Sequence, residues 1–202
     1  MHIVRPPLLF KTFYSKAIWR KKNKENNIYL TFDDGPIPEI TPWVLDCLQE
    51  HQVKATFFCV GDNVKKHPEI FQRILNEGHA VGNHSYNHLK GWDHTLEEYL
   101  ENIETCQELT KTSLFRPPYG KMTYAQYSAL HKKYDIIMWD VLTGDYNARI
   151  SKEQCLKYCI DNTRHGSIIV FHDNIKAIAN LQYSLPKAIA FLKNKGFNFQ
   201  LF

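Results

Sequence analysis

Short apolar segments alternate along this chain with segments of helical length, and this alternation constrains the fold more than any other feature of the sequence. Seven segments are predicted to be strands: 28–33, 54–60, 79–84, 113–116, 135–141, 167–172 and 197–202. Strands that alternate with helices form a parallel sheet covered by helices, either open and doubly wound or closed as a barrel. A chain of 202 residues is long enough for one such domain with a single core.

Polar side chains distinguish between these two arrangements. Each stands at or near the end of a different predicted strand: Asp33, His84, Arg116, Asp140 and His172. In an open sheet, ligands gather at one switch point, whereas every strand of a barrel can send a side chain to one common mouth. We therefore predict a barrel with a functional site at the C-terminal ends of its strands.

The first 26 residues carry most of the positive charge. The net charge is +4, yet residues 1–26 hold seven Lys or Arg and one Glu, which leaves 18 basic and 20 acidic residues for the rest. A nearly neutral body argues against nucleic acid as a partner. Apolar side chains recur in the arm at helical spacing: Phe10, Phe13, Tyr14, Ala17 and Ile18. We predict that the basic arm, residues 1–26, forms an amphipathic helix packed on a domain of residues 27–202, and contact with a membrane surface is the alternative.

Cysteine usage and the lack of long apolar segments limit the class of protein. Five cysteines without a CxxC pair argue against a disulfide scaffold or a cysteine zinc site, and they predict reduced, buried side chains. No segment approaches the roughly 20 apolar residues that span a bilayer, and the N-terminus lacks the order of a signal peptide. A cytoplasmic location is the expectation most consistent with these features.

Two pairs of residues suggest a metal site. His84 and His88 in HSYNH lie four apart, so both imidazoles can reach one zinc-like ion, although two of ten histidines can have this spacing by chance. Asp33 and Asp34 in TFDDGP follow one another at a strand end, where a turn at Gly35 would bring both carboxylates to one site. A dication held by Asp34 and the histidines would leave Asp33 as the base for a metal-bound water. Without the histidines, DDGP would be read as a polar turn.

Two further residues would complete a hydrolytic site. Arg116 in FRPPYG can hold Asp33 by a bidentate contact, and the stiff prolines can aim a backbone N–H as an oxyanion donor. His172 in SIIVFHD points inward at a strand end, where it can act as the general acid toward a leaving amine. The alternative for Arg116 is an ordinary arginine in a surface loop. A lone inward histidine such as His172 is more often a core residue than a catalyst.

The order of five motifs resembles that of a known family. TFDDG, HSxxH, RPPYG, a DxxxxD segment and a hydrophobic-x-hydrophobic-x-His ending are similar to the motifs of the NodB-type polysaccharide deacetylases, carbohydrate esterase family 4. The resemblance runs from about residue 27 to the C-terminus. It implies a single α/β domain, a distorted (β/α)7 barrel, in which a metal-bound water removes N-acetyl groups from carbohydrate such as peptidoglycan or chitin.

The resemblance also implies residue roles and a cofactor. It makes Asp33 the base oriented by Arg116, and His172 the acid. It makes Asp34, His84 and His88 the ligands of a divalent metal, for which zinc is the first expectation and cobalt, nickel and iron are alternatives. It further implies that Tyr119 supplies the oxyanion N–H.

The fourth motif departs from the family's usual V-D-[ST]-x-D-W. Leu142 replaces the carboxylate expected to orient His172, and Tyr146 replaces the tryptophan of the substrate groove. Because Asp140 lies two residues earlier on the same predicted strand face, we predict that it orients His172 instead. The changed groove leaves two other functions open: deacylation or deformylation of a small or lipid-linked saccharide, and carbohydrate binding without catalysis.

Overall fold

The computed structural model describes residues 3–21 and 25–202. Its strands are β1 (Asn27–Asp33), β2 (Thr56–Cys59), β3 (Ala80–Asn83), β4 (Leu114–Phe115), β5 (Asp135–Ile136), β6 (Val141–Leu142), β7 (Ile168–His172) and β8 (Asn198–Phe199). Its α-helices are α1 (Leu8–Phe13), α2 (Ile40–Glu50), α3 (Gly61–Lys66), α4 (Pro68–Asn76), α5 (Leu96–Thr110), α6 (Tyr124–Leu130), α7 (Lys152–Asn162) and α8 (Ile178–Asn194). None of the helices in these two ranges is both long and apolar enough to cross a membrane.

The strands form one parallel sheet in the order β5-β4-β3-β2-β1-β7-β6, and β8 pairs with the start of β1. The sheet is curled and flanked by helices, so the chain folds as the predicted distorted (β/α)7 barrel in a single domain. Because all the strands run in one direction, their C-terminal ends open on one mouth of the barrel.

The central strand, β1, is buried along its whole length. Side chains alternate between the two faces of a strand. Those of Ile28, Leu30 and Phe32 belong to the apolar core that also holds residues of α2, α7 and α8. Those of Thr31 and Asp33 face the barrel interior, where both contact Arg116. The alternation therefore brings a carboxylate to the inner mouth of the barrel.

The segment predicted as one strand over 135–141 is two strands in the structure. β5 pairs with β4 at one edge of the sheet, and β6 pairs with β7 at the other. The residues between β5 and β6 therefore join the two edges and close the curl. The carbonyl oxygens of Ile137 and Met138 in this connection accept hydrogen bonds from Arg116, so the closure also positions a side chain of the mouth.

The N-terminal segment forms a short helix and then runs extended against the barrel. The helix predicted to continue through residue 18 is wrong beyond Phe13, because Ile18 forms a parallel bridge with Ile137 instead. No residue of α1 is buried. Phe10 of α1 packs partly buried against the barrel wall, and the buried apolar side chains of the segment, Tyr14, Ala17 and Trp19, come after the helix.

All five cysteines are unpaired and buried, as predicted. Burial raises the pKa of the Cys47 thiol to about 11 and that of the Cys106 thiol to about 12. These thiols therefore stay protonated at neutral pH and pack as small apolar groups.

Candidate active site

Asp33 and Arg116 form a buried ion pair at the mouth of the barrel. Arg116 Nη1 lies 2.5 Å from Asp33 Oδ1 and also donates to the Thr31 hydroxyl. Its Nε and Nη2 donate to the carbonyls of Ile137 and Met138, and its guanidinium lies 4.0 Å from the centroid of the Phe58 ring. Every nitrogen of the guanidinium is therefore engaged, and Arg116 holds Asp33 through one nitrogen and not through the predicted bidentate contact.

The chain turns at Asp34, as the adjacent carboxylates require if both are to face one cleft. Asp34 has a φ of 87°, a left-handed value, and its carbonyl accepts a hydrogen bond from Asn63. Gly35 follows in a position where a Cβ atom would lie 1.9 Å from Asp173 Oδ2. A side chain at residue 35 is thus excluded, and the backbone amide of Gly35 instead donates to Asp173 Oδ1.

Asp34, His84 and His88 converge on one point. Asp34 Oδ1 lies 3.6 Å from His84 Nε2 and 3.2 Å from His88 Nε2, and the three ligand atoms all lie within 4.8 Å of one another. The histidines do not follow one another on a helical turn, since Ser85 and His88 both have positive φ in the loop after β3. The i, i+4 spacing selected two histidines that the structure brings together with Asp34, but the helical turn that the spacing implied is wrong.

This arrangement fits a divalent cation. Asp34 Oδ1 is buried and accepts no hydrogen bond from any residue that the structure describes. The other ring nitrogen of His84, Nδ1, lies 2.7 Å from the Arg116 carbonyl oxygen, so Nε2 is free to face Asp34. Burial would raise the pKa of Asp34, but the facing imidazoles hold it well below 3.8. A carboxylate and two neutral imidazoles form a donor set common in zinc enzymes.

His172 is oriented by Asp145. Asp145 Oδ1 lies 2.9 Å from His172 Nδ1, and Asp145 Oδ2 accepts the His172 backbone N–H at 2.6 Å. Burial lowers the pKa of His172, but the charge and hydrogen bond of Asp145, together with Asp34 and Asp33, raise it on balance to about 9. With Nδ1 engaged, Nε2 is the nitrogen available to the cleft that His172 lines.

The prediction that Asp140 orients His172 is wrong. The backbone N–H of Asp140 bonds to the carbonyl of Ile168 at the start of β7, whereas His172 ends that strand. The prediction assumed a continuous strand over 135–141, and the break after β5 removes its basis. Asp145 is the last residue of the DxxxxD segment. The sequence did not point to it, because the family places the orienting carboxylate at position 142, where this chain has Leu142.

Asp140 instead links the N-terminal arm to the far end of the barrel. Its carboxylate, wholly inaccessible to solvent, accepts hydrogen bonds from Arg5, Arg164 and Ser167. Burial would raise the pKa of Asp140, but the bonds from Arg164 and Ser167 and the charge of Arg5 lower it below 3.8.

Asp140→Asn is therefore expected to lower the free energy of unfolding by about 2 kcal/mol at neutral pH, since hydrogen bonds to charged groups are lost. Both arginines are partly exposed, which limits the effect. A depressed carboxyl pKa contributes stability that is fully present above the unfolded-state pKa near 4. The difference from wild type should therefore shrink as pH falls below that value toward the lower folded-state pKa. Denaturant unfolding at several pH values measures this. A constant difference down to pH 3 would contradict it.

Two tyrosines flank the cleft, whose volume is about 760 Å³. Tyr119, 59% exposed and with a φ of 59°, places its ring 4.6 Å from that of His88. Tyr146 places its ring edge-on to His172 at 4.7 Å. The cleft also contains Asp33, Asp34, His84 and Arg116, so all predicted site residues except Asp140 meet in one cavity.

Fold and site together define a class of protein. A parallel barrel that gathers carboxylates, histidines and a candidate cation site at one mouth has the groups that metal-assisted hydrolysis requires. The family model for polysaccharide deacetylase matches residues 20–136. The chain belongs to the polysaccharide deacetylase family and is a hydrolase of carbon–nitrogen bonds other than peptide bonds.

Known proteins resemble the chain well beyond residue 136. A peptidoglycan-N-acetylglucosamine deacetylase of Bacillus cereus is 38% identical over 196 residues, which cover 92% of this chain and 70% of that protein. A chitooligosaccharide deacetylase of Azorhizobium caulinodans is 36% identical, over 76% of this chain and 77% of that protein. The crystal structure of the Bc1960 peptidoglycan N-acetylglucosamine deacetylase superposes with a TM-score of 0.87 at 33% identity, over 97% of this chain and 94% of that one.

Proposed function

We propose that this protein removes N-acetyl groups from an amino-sugar carbohydrate of the peptidoglycan or chitin kind, in a reaction that depends on a divalent metal. The observation that carries the proposal is the convergence of a candidate cation site, a buried carboxylate and a histidine of raised pKa in one cleft. The named activities of the relatives support an N-acetylated sugar as the substrate.

Asp34, His84 and His88 would hold the cation. When bound, a divalent metal supplies Lewis acidity toward the amide carbonyl and makes a water nucleophile available at neutral pH. Zinc suits one carboxylate and two imidazoles best among the metals that this donor set accepts, which also include cobalt, nickel and iron.

Two residues of the chain would transfer protons during the reaction. Asp33, held by Arg116, accepts a proton from the water that attacks the carbonyl carbon. His172, protonated through its contact with Asp145, donates a proton from Nε2 to the amide nitrogen as the carbon–nitrogen bond breaks. The products are acetate and a free amine. We assign the backbone N–H of Tyr119 as a donor to the oxyanion, for which a single donor is typically worth about 3 kcal/mol.

Tyr119 and Tyr146 would contact the sugar. Both rings flank the polar centre of the cleft, next to His88 and His172 respectively. Tyr146 carries a hydroxyl where the family's usual tryptophan has an indole. Aromatic faces with a polar tip suit a ligand that has both apolar C–H faces and hydroxyl groups.

Acetate release from N-acetylglucosamine oligomers tests the proposal. Protein freed of metal by a chelator should be inactive, and activity should return with zinc, because the cation supplies the nucleophile. His88→Ala should lose zinc binding and activity together. Asn87→Ala is the matched control, since Asn87 lines the same cleft but accepts its hydrogen bond from Asn102 and is not among the candidate ligands.

The outcomes separate the alternatives. Release that survives complete metal removal would contradict metal dependence. Release of acyl groups only from small or lipid-linked saccharides would show that the substrate is one of these and not a polymer of the peptidoglycan or chitin kind. Saturable binding of oligosaccharide with no acyl release by the zinc-loaded protein would show a binding protein built on this scaffold.

A further inference from the structure

The loop after β7 contacts Asp34 through a residue that no motif marks. Asn174 Nδ2 lies 2.5 Å from Asp34 Oδ2, on the carboxylate oxygen that does not face the histidines. Asn174 is half-buried and lines the cleft beside the cation site. The two oxygens of Asp34 therefore have different surroundings: Oδ2 is bonded, whereas Oδ1 faces His84 and His88 without a hydrogen bond from the described residues.

The orientation of the Asn174 amide is set from its other side. Asn174 Oδ1 accepts the backbone N–H of Ala177 at 3.0 Å in the turn that leads into α8. An amide whose oxygen accepts a hydrogen bond from this turn must direct its NH₂ group away from it, and that group meets Asp34. The start of α8 thus fixes which way the donor points.

The preceding residue, Asp173, holds the backbone on either side of Asp34. Asp173 accepts hydrogen bonds from the Gly35 N–H and the Thr41 hydroxyl, and its own N–H donates to the Asp33 carbonyl. Asp173 therefore fixes the path of the chain through residues 33–35. The Asp34 side chain could still rotate, and the hydrogen bond from Asn174 restricts that rotation.

We propose that Asn174 is a positioning residue of the metal site: by holding Asp34 Oδ2, it presents Oδ1 alone to a cation shared with His84 and His88. A carboxylate that can bind through one oxygen leaves more positions open for water and for the substrate carbonyl. This inference rests on the proposed metal-dependent function. Groups that hydrogen-bond to metal ligands typically contribute a factor of about 10 to 100 in metal affinity.

Zinc titration of the metal-free full-length protein, in competition with a chromophoric chelator, tests the proposal. Asn174→Ala should raise the zinc dissociation constant about 10- to 100-fold. Asn174→Ser should do the same, because a serine oxygen can still accept the Ala177 N–H but its short side chain does not reach Asp34. Asn87→Ala, which removes a hydrogen bond from Asn102 and no bond to Asp34, should bind zinc as the wild type does.

A second readout distinguishes positioning from general destabilisation. In the cobalt-substituted protein, release of Asp34 Oδ2 would let the carboxylate bind through both oxygens, which raises the coordination number and weakens the visible d–d absorption. Thermal unfolding of the metal-free Asn174→Ser protein should match that of the wild type.

Zinc affinity of both Asn174 variants within about twofold of wild type, or an unchanged cobalt spectrum, would overturn the proposal. These measurements need no substrate, so they are separate from the test of function. A protein whose zinc affinity depends on Asn174 but which releases no acetate would support this inference and overturn the proposed activity. A protein that releases acetate but whose zinc affinity is unchanged by the Asn174 substitutions would support the proposed activity and overturn this inference.

Discussion

Asp33→Asn is expected to lower kcat for acetate release about 10²- to 10⁴-fold, the usual contribution of a general base. Asparagine keeps the shape of the side chain but cannot accept a proton. Because Asp33 contacts Arg116 and lies outside the set of cation ligands, the zinc affinity and KM should change little. Steady-state kinetics of the zinc-loaded variant, with zinc content measured on the same sample, tests this expectation.

The same substitution should also reduce stability. Arg116 is fully buried, and burial lowers the pKa of its guanidinium while the charge of Asp33 raises it. Removing one partner of a buried ion pair typically costs about 3 kcal/mol or more, since the remaining charge is left uncompensated. Denaturant unfolding measures the loss, and assays must be made below the lowered transition temperature. A folded, zinc-loaded Asp33→Asn protein with wild-type kcat would exclude Asp33 as the base.

Asp145→Asn should move the alkaline limit of activity to lower pH. As the proposed general acid, His172 must be protonated, and its folded-state pKa of about 9 keeps it protonated up to that pH. The Asp145 carboxylate is the main group that raises this pKa against the effect of burial. Without it, the pKa of His172 should fall toward or below its ordinary value near 6.5, and kcat at pH 8 should drop by about 10²-fold or more.

The pH dependence of kcat/KM for wild type and variant measures this shift. A bound cation would lower the pKa of His172 in both proteins, so the difference between the two profiles carries the prediction. Asp140→Asn is the matched control, because Asp140 is an equally buried aspartate that does not touch His172. Its alkaline limb should coincide with that of wild type. Coincident limbs for Asp145→Asn and wild type would show that Asp145 does not tune the acid.

The parts of the site that the sequence predicted are those with a chemical reason to be adjacent in sequence. DDGP and HSYNH each place two ionisable side chains at one strand end, and the proposed cation accounts for both pairs. The local geometry could not be predicted, because it depends on positive φ at Asp34, Ser85 and His88. Non-glycine residues adopt such values only where surrounding contacts enforce them.

Two residues of the site could not be predicted, because their positions depend on where strands and turns begin and end. Asp145 was missed because Leu142 stands where the orienting carboxylate is expected, and a continuous strand over 135–141 made Asp140 its substitute. The chain in fact crosses there from one sheet edge to the other. Asn174 was missed because an uncharged amide in a loop carries no motif. Its role depends on the turn before α8, which is a tertiary contact and not a pattern of the sequence.

The closure of the barrel links the proposed catalytic base to a distant part of the chain. Ile18 donates to the carbonyl of Ile136 and accepts from the amide of Met138. Met138 in turn accepts from Arg116, which holds Asp33. Local opening of the N-terminal segment would therefore loosen the support of Arg116 and Asp33, although the opening itself begins away from the cleft. We infer that the N-terminal segment unfolds together with the barrel that supports Asp33. Substitutions in this segment should therefore affect activity as well as stability.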